Sequence, residues 1–104
     1  MEIVLIDSFI VPEDSKSTFV AEIRRSAAFL RTLPGFVEGF VCEKAGGAGA
    51  TNVVTTAVWK DERALADAKA SATEGFTKIG FNPSEIMKNL KVEMERAVYR
   101  RTPY

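Results

Sequence analysis

Apolar residues recur at every second position in four stretches of the chain and at every third or fourth position between them, and this switching of period predicts the elements. Glu2 to Val11 sets Ile3, Leu5, Phe9 and Val11 on one face and Val4, Ile6 and Ile10 on the other, so it reads as a strand covered on both sides. Asn52 to Lys60 does the same, with Val53, Thr55, Ala57 and Trp59 opposing Val54, Thr56 and Val58. A sheet with one wet face would show polar residues at every second position, and neither stretch does. Helices can cover only one face of such a sheet. The second face therefore needs a partner, and an identical sheet is the simplest one, which predicts a homodimer.

Between the first two strands, Pro12, Glu13 and Asp14 stop the chain and supply negative charge for a helix start. Val20, Ile23, Ala27, Leu30 and Leu33 then recur at helical spacing, about five turns by pattern. Leu33, Pro34 and Gly35 turn into a second strand, Phe36 to Lys44, and the glycine-rich run Ala45 to Ala50 reads as a hairpin loop. It is no phosphate cradle, because no Lys-Ser or Lys-Thr follows it and a strand comes next. After Trp59, Asp61 caps a helix reaching about Ala72, and Thr73 to Gly80 carries no decisive pattern. Asn82 caps a short helix that has Pro83 in its first turn and Glu85 placed to reach back to the cap. The chain closes with a charged edge strand from about Lys91 to Arg101. The order predicts one α+β domain over residues 1–104, a ferredoxin-like βαββαβ antiparallel sheet with helices on one face.

Composition narrows the function classes. Lys plus Arg equals Asp plus Glu at 14 each, which removes any global electrostatic reason for binding nucleic acid. No apolar run approaches membrane-spanning length, and the start, MEIVLIDSF, lacks a basic region and carries Asp7 within its apolar run, so a cytoplasmic protein is expected. One cysteine and no histidine offer no metal site. Cys42, with no histidine to activate it, reads as a small core residue. Arg24, Arg25 and Arg31 read as a solvated helix face.

Two residues stand out for chemistry. Asp7 shares its face with Leu5 and Phe9, so its carboxylate is partnered, neutralised or at the wet mouth of a pocket; a salt bridge or strand-end exposure accounts for it without any catalytic role. Trp59, the only tryptophan, sits at a strand-to-helix corner where its ring either lines a pocket or packs against Leu65 and Leu30 as core.

The segments LPGFVEGFV, Leu33 to Val41, and VWKDERALADAKAS, Val58 to Ser71, resemble the most characteristic stretches of the antibiotic biosynthesis monooxygenase superfamily, and with the matching element order the resemblance covers nearly the whole chain. It implies a homodimeric α/β barrel with a ligand cavity between sheet and helices in each subunit. Members include cofactor-independent monooxygenases acting on polyketide quinols and phenols, quinol oxygenases and haem-degrading enzymes. By this resemblance Trp59 falls where cofactor-free oxygenases place a strand Trp in the cavity, and Thr55 falls near a position they fill with Asn. Asp7 falls where haem degraders have a first-strand Asn. Their helix Trp would fall at about Ala68 and their axial His at about Lys78, and the helix His of quinol-oxygenase-like members also lands near Ala68. A chain without histidine lacks the usual imidazole ligand, so neither haem nor any other cofactor is expected.

Two functions follow as expectations. The first is cofactor-independent oxygenation of an aromatic polyketide- or quinol-like molecule, with Asp7 as base, Trp59 as wall and hydrogen-bond donor, and Thr55 as polar support. The alternative is a non-catalytic dimer of the same fold that binds a small apolar molecule or has a structural part.

Overall fold

The computed structural model describes residues 1–104. Four antiparallel strands form one sheet: β1 (Ile3–Ile10), β2 (Phe36–Glu43), β3 (Val53–Trp59) and β4 (Glu93–Arg100), in the order β2-β3-β1-β4. Three helices complete the chain: α1 (Lys16–Leu30), preceded by a 3-10 turn at Glu13–Ser15, α2 (Glu62–Lys78) and α3 (Pro83–Leu90). This is the expected ferredoxin-like α+β arrangement, and the two two-sided apolar strands, β1 and β3, lie at its centre.

Register decides which residues meet. β1 and β3 pair Ile3 with Trp59, Leu5 with Ala57, Asp7 with Thr55 and Phe9 with Val53, so all of these point to the same side. That side is the helix side: Phe9 meets Phe19 of α1 edge-on with ring centroids 4.9 Å apart, and Trp59 and Ile3 pack with Leu65 and Ala68 of α2. Asn52 extends the central pairing past the strand end. Its side-chain amide donates to the Val11 carbonyl at 2.8 Å while its carbonyl oxygen accepts from the Val11 N–H at 2.9 Å, the two bonds a backbone partner would supply.

The helix ends form where local chemistry directs. Asp61 accepts from the Ala64 N–H at 2.8 Å, and Asn82 accepts from the Glu85 N–H at 3.1 Å, although no reciprocal bond from Glu85 forms. α2 runs past Ala72 to Lys78, through the segment without decisive pattern. A helical glycine costs about 1 kcal/mol relative to alanine, so local propensity disfavours a helix at Gly75. Tertiary packing outweighs that cost and requires glycine there, because a β-carbon on Gly75 would lie 2.1 Å from the Phe29 ring of α1. The missing side chain is what lets α1 and α2 approach, and Phe76 then meets Phe29 at a tilt and Phe81 edge-on.

The sheet's other face carries Val4, Ile6, Ile10, Val54, Thr56, Val58, Phe40, Ala97 and Tyr99 by register, and no helix covers it. Phe40 and Tyr99 on it are each more than half exposed. Cys42 belongs to this face too, opposite Val54, and is exposed. That corrects the expectation of a core thiol: on the edge strand β2, the bulge between Phe36 and Glu38 sets the phase so that Val41, not Cys42, points toward the helices.

Gly35 has a φ of 84°, and a β-carbon there would lie 2.4 Å from that of Ala64. Gly47 has a φ of 104° in the open hairpin loop with nothing within 4 Å. Gly35→Ala therefore combines backbone strain with overpacking and should lower stability by about 3 kcal/mol, against about 1 kcal/mol for Gly47→Ala. Urea-unfolding midpoints compare the two; equal losses would mean that the approach of the turn to α2 contributes nothing.

Candidate functional site

The helix-facing side of the sheet is not one continuous apolar core. One cluster is Phe9, Val11, Phe19, Val20 and Val53; the other is Ile3, Trp59, Leu65 and Ala68. Between them, by register, runs the row Val41, Thr55, Asp7 and Arg96 across β2, β3, β1 and β4. The polar groups expected to do chemistry thus occupy the seam between two hydrophobic clusters.

Asp7 is 9% exposed, and its carboxylate is held on both oxygens by one guanidinium: Arg96 Nε donates to Oδ1 at 2.7 Å and Nη2 to Oδ2 at 2.9 Å. This fork-on-fork geometry is the strongest arrangement open to the pair. Hydrogen bonding to Asp7 raises the pKa of Arg96 above arginine's ordinary value, partial burial opposing it and the charge of Asp7 adding to it. Arg96 is consequently a fixed positive charge at any working pH.

Trp59 is 2% exposed and stands edge-on to Phe36, ring centroids 5.4 Å apart. Leu65 packs beside it as expected, but Leu33 and Phe36 take the place expected of Leu30. Its Nε1–H is buried and has no acceptor, the only such side-chain atom in the protein. An unmet buried donor costs on the order of 1–3 kcal/mol, so this one calls for an explanation.

Asp7, Thr55 and Trp59 therefore share one face, which the register between β1 and β3 decides, with Asp7 directly opposite Thr55 and Trp59 one row beyond Ala57. Two surface clefts are present, one away from this row and one at the Ile3 end of the Trp59 cluster. One of about 330 Å³ is lined by Glu13, Lys16, Ser17, Val20, Arg24 and Glu43, and one of about 300 Å³ runs past Met1, Ile3, Asp61 and Arg100. Arg96 is the partner of Asp7 that the sequence does not single out at first sight, because the many charges of β4 mark it only as an edge. A signal is nonetheless present: Met94, Arg96, Val98 and Arg100 alternate onto one face, where Arg96 between two apolar neighbours mirrors Asp7 between Leu5 and Phe9. No group of three or more His, Cys, Asp or Glu side chains is placed to hold a metal ion. No helix is long and apolar enough to cross a membrane.

Several solved structures share this architecture. SnoaB, a cofactor-independent oxygenase from Streptomyces nogalater, superposes with a TM-score of 0.74 at 24% identity, over 99% of this chain and 95% of that one. A Deinococcus radiodurans protein provisionally named an antibiotic biosynthesis monooxygenase gives 0.73 at 15% identity, over 100% and 95%. Rv0793 from Mycobacterium tuberculosis gives 0.75 at 14% identity, over 100% and 98%. No family model matches the sequence, and no curated protein matches it. The chain has the fold of the antibiotic biosynthesis monooxygenases, and at these identities the likeness extends to the fold alone.

The Asp7–Arg96 pair yields an asymmetric prediction. Removing the guanidinium strands a buried carboxylate, whereas neutralising Asp7 leaves Arg96 half exposed and hydrated. Arg96→Met should therefore lower stability by about 2 kcal/mol, discounted for the exposure of Arg96, and Asp7→Asn by about 1 kcal/mol or less. Thermal and urea unfolding of the two variants provide the comparison; the opposite order would mean that the pair is held for the sake of the arginine.

Proposed function

We propose that this protein is a cofactor-independent monooxygenase acting on an aromatic, electron-rich small molecule of polyketide or quinol type, bound on the helix-facing side of the sheet. The observation that carries this reading is the orphaned Nε1–H of Trp59, a buried donor with no acceptor in its own chain. A carbonyl or phenolic oxygen of the ligand satisfies it, and the surrounding Ile3, Leu65, Phe36 and Leu33 suit an aromatic ring system. The likeness in fold to SnoaB supports the same reaction class.

The chemistry asks little of the protein. A methylene flanked by aromatic rings reacts with dioxygen to give a carbonyl and water, so the oxidant is dioxygen and no external reductant enters the balance. Loss of a proton makes the substrate electron-rich enough to pass an electron to dioxygen. The protein excludes water, accepts the proton and stabilises the anion. Asp7 is the proton acceptor in this reading, Trp59 the wall and donor, and Thr55, opposite Asp7, the polar support. A second reading, a binding dimer without chemistry, draws on a specific observation: both Asp7 oxygens are already engaged by Arg96.

The reading includes a homodimer in which the uncovered sheet face meets its copy. A large exposed apolar surface rimmed by charge is what a two-fold interface requires, and Arg101 with Glu2 and Glu38 supplies such a rim at one end.

Oxygen uptake with a panel of anthrones and quinols, under air and under argon, tests the activity. Oxygen-dependent product should appear, and Asp7→Asn should lower kcat about 100-fold while KM changes less than about threefold, because a base acts on the reacting proton. Oxygen-dependent turnover that does not depend on Asp7 removes Asp7 as the base and keeps the oxygenase, whereas no turnover with any of the panel leaves the binding reading. For the assembly, sedimentation velocity at low micromolar concentration should give a dimer, and Ile6→Glu, at the centre of the open face, should give a monomer; a wild-type monomer sinks this arrangement.

A further inference from the structure

Arg96 has donors to spare. Its guanidinium carries five N–H bonds, of which Asp7 takes one at Nε and one at Nη2, and no other protein acceptor meets it. Its side chain is 47% exposed although the register with Asp7 turns it to the helix side. The reason is that the helices leave the inner face of β4 uncovered: Met94 and Val98, its neighbours on that face, are 41% and 49% exposed. Beyond β4, Leu5 and Asp7 continue the same surface toward the Trp59 row. The strip is apolar around Arg96 at its centre, is open on one side and ends at the Trp59 row, where Arg100 stands on the same face opposite Ile3, and it is complementary to a flat apolar molecule bearing negative charge.

We propose that Arg96 is the anion anchor of this site and that its ligand is a fused aromatic molecule carrying an ionised oxygen, as phenolate, enolate or carboxylate. The proposal rests on the function proposed above and adds the charge of the site's occupant. Arg96 lies four residues along the strand from the Trp59 row, about 13 Å, so a ligand touching both ends has several fused rings rather than one. The arrangement also accommodates an Asp7 that is already engaged. When a ligand O–H gives its proton to an Asp7 oxygen, the O–H bond of the ligand breaks and one forms on the carboxyl. The negative charge passes to the ligand oxygen, and Arg96 shifts its N–H bonds from the neutralised Asp7 to the new oxyanion. The sum of charges on the three groups is zero before and after, so proton transfer creates no unpaired charge in the seam.

Anthracene-2-carboxylate and anthracene-2-carboxamide, matched in shape and differing in charge, test this by fluorescence anisotropy of the probes with the intact protein at pH 7. Wild type should bind the carboxylate roughly tenfold or more tighter than the amide. Arg96→Gln should abolish that preference and Arg96→Lys should keep part of it. Asp7→Asn, which frees the guanidinium, should tighten the carboxylate severalfold and widen its preference over the amide, an outcome no loss of structural integrity produces. If Arg96→Gln fails to fold, the double variant Asp7→Asn/Arg96→Gln, with no charge left in the seam, carries the same test. Equal affinity for the two probes, no saturable binding of the carboxylate, a preference that survives loss of Arg96, or weaker carboxylate binding by Asp7→Asn would overturn the proposal. These titrations involve no turnover, so an anion preference without oxygenase activity removes only the oxygenase reading, and oxygen-dependent turnover without the preference removes only the anchor.

Discussion

The pairing of β1 with β3 is the constraint on which the remaining structure depends. Side chains on a strand alternate with a period of two, so a shift of one residue in this pairing would exchange the contents of the two sheet faces. In the register observed, Ile3, Phe9, Val53 and Trp59 all turn toward the helices and each is buried. Asn52 holds that register at one end through its two bonds to Val11, and the bulge in β2 adjusts the flanking strand so that Phe36 still reaches Trp59. The register that completes the core also brings Asp7, Thr55 and Arg96 into one row.

That row interrupts the core. An ion pair drawn out of water is at best a weak contribution to stability, since desolvation offsets much of the Coulombic attraction, and well-packed apolar residues would serve as well or better. A bidentate pair placed between two hydrophobic clusters, together with an indole donor left without an acceptor, is a combination that packing for stability does not call for, and the proposed function rests on it. The pair loses least where it stands, since the half-exposed guanidinium keeps contact with water while the carboxylate it holds is buried.

The helix layer shows how the rest of the molecule accommodates this seam. α1 and α2 close upon each other where Gly75 admits the ring of Phe29, and α2 begins against the turn where Gly35 admits Ala64. Both contacts draw helices toward β2 and β3. β4 keeps an uncovered inner face in consequence, and its charged edge character tolerates that exposure without inviting another strand. The sheet is therefore buried over the centre of its inner face, open on the inner side of one edge, and without a helix over its outer face.

Much of this was legible in the residues themselves. Period-two and helical spacing specified the element order, the caps at Asp61 and Asn82, and the two-sided apolar strands that belong at a sheet's centre, because these depend on local sterics and hydrogen bonding. Alternation alone also showed that Asp7 shares a face with Phe9 and that Trp59 shares one with Thr55. What alternation leaves open is how strands far apart in sequence align, and long-range packing decided that. The extension of α2 through Gly75 depended on Phe29, some 46 positions earlier. The exposure of Cys42 depended on a bulge in an edge strand. The partnership of Asp7 with Arg96 joins residues 89 positions apart, and nothing in either local pattern names the other. A charge on an apolar face announces in the sequence that it needs a partner; only the folded chain, by bringing β4 alongside β1, determines which residue that partner is.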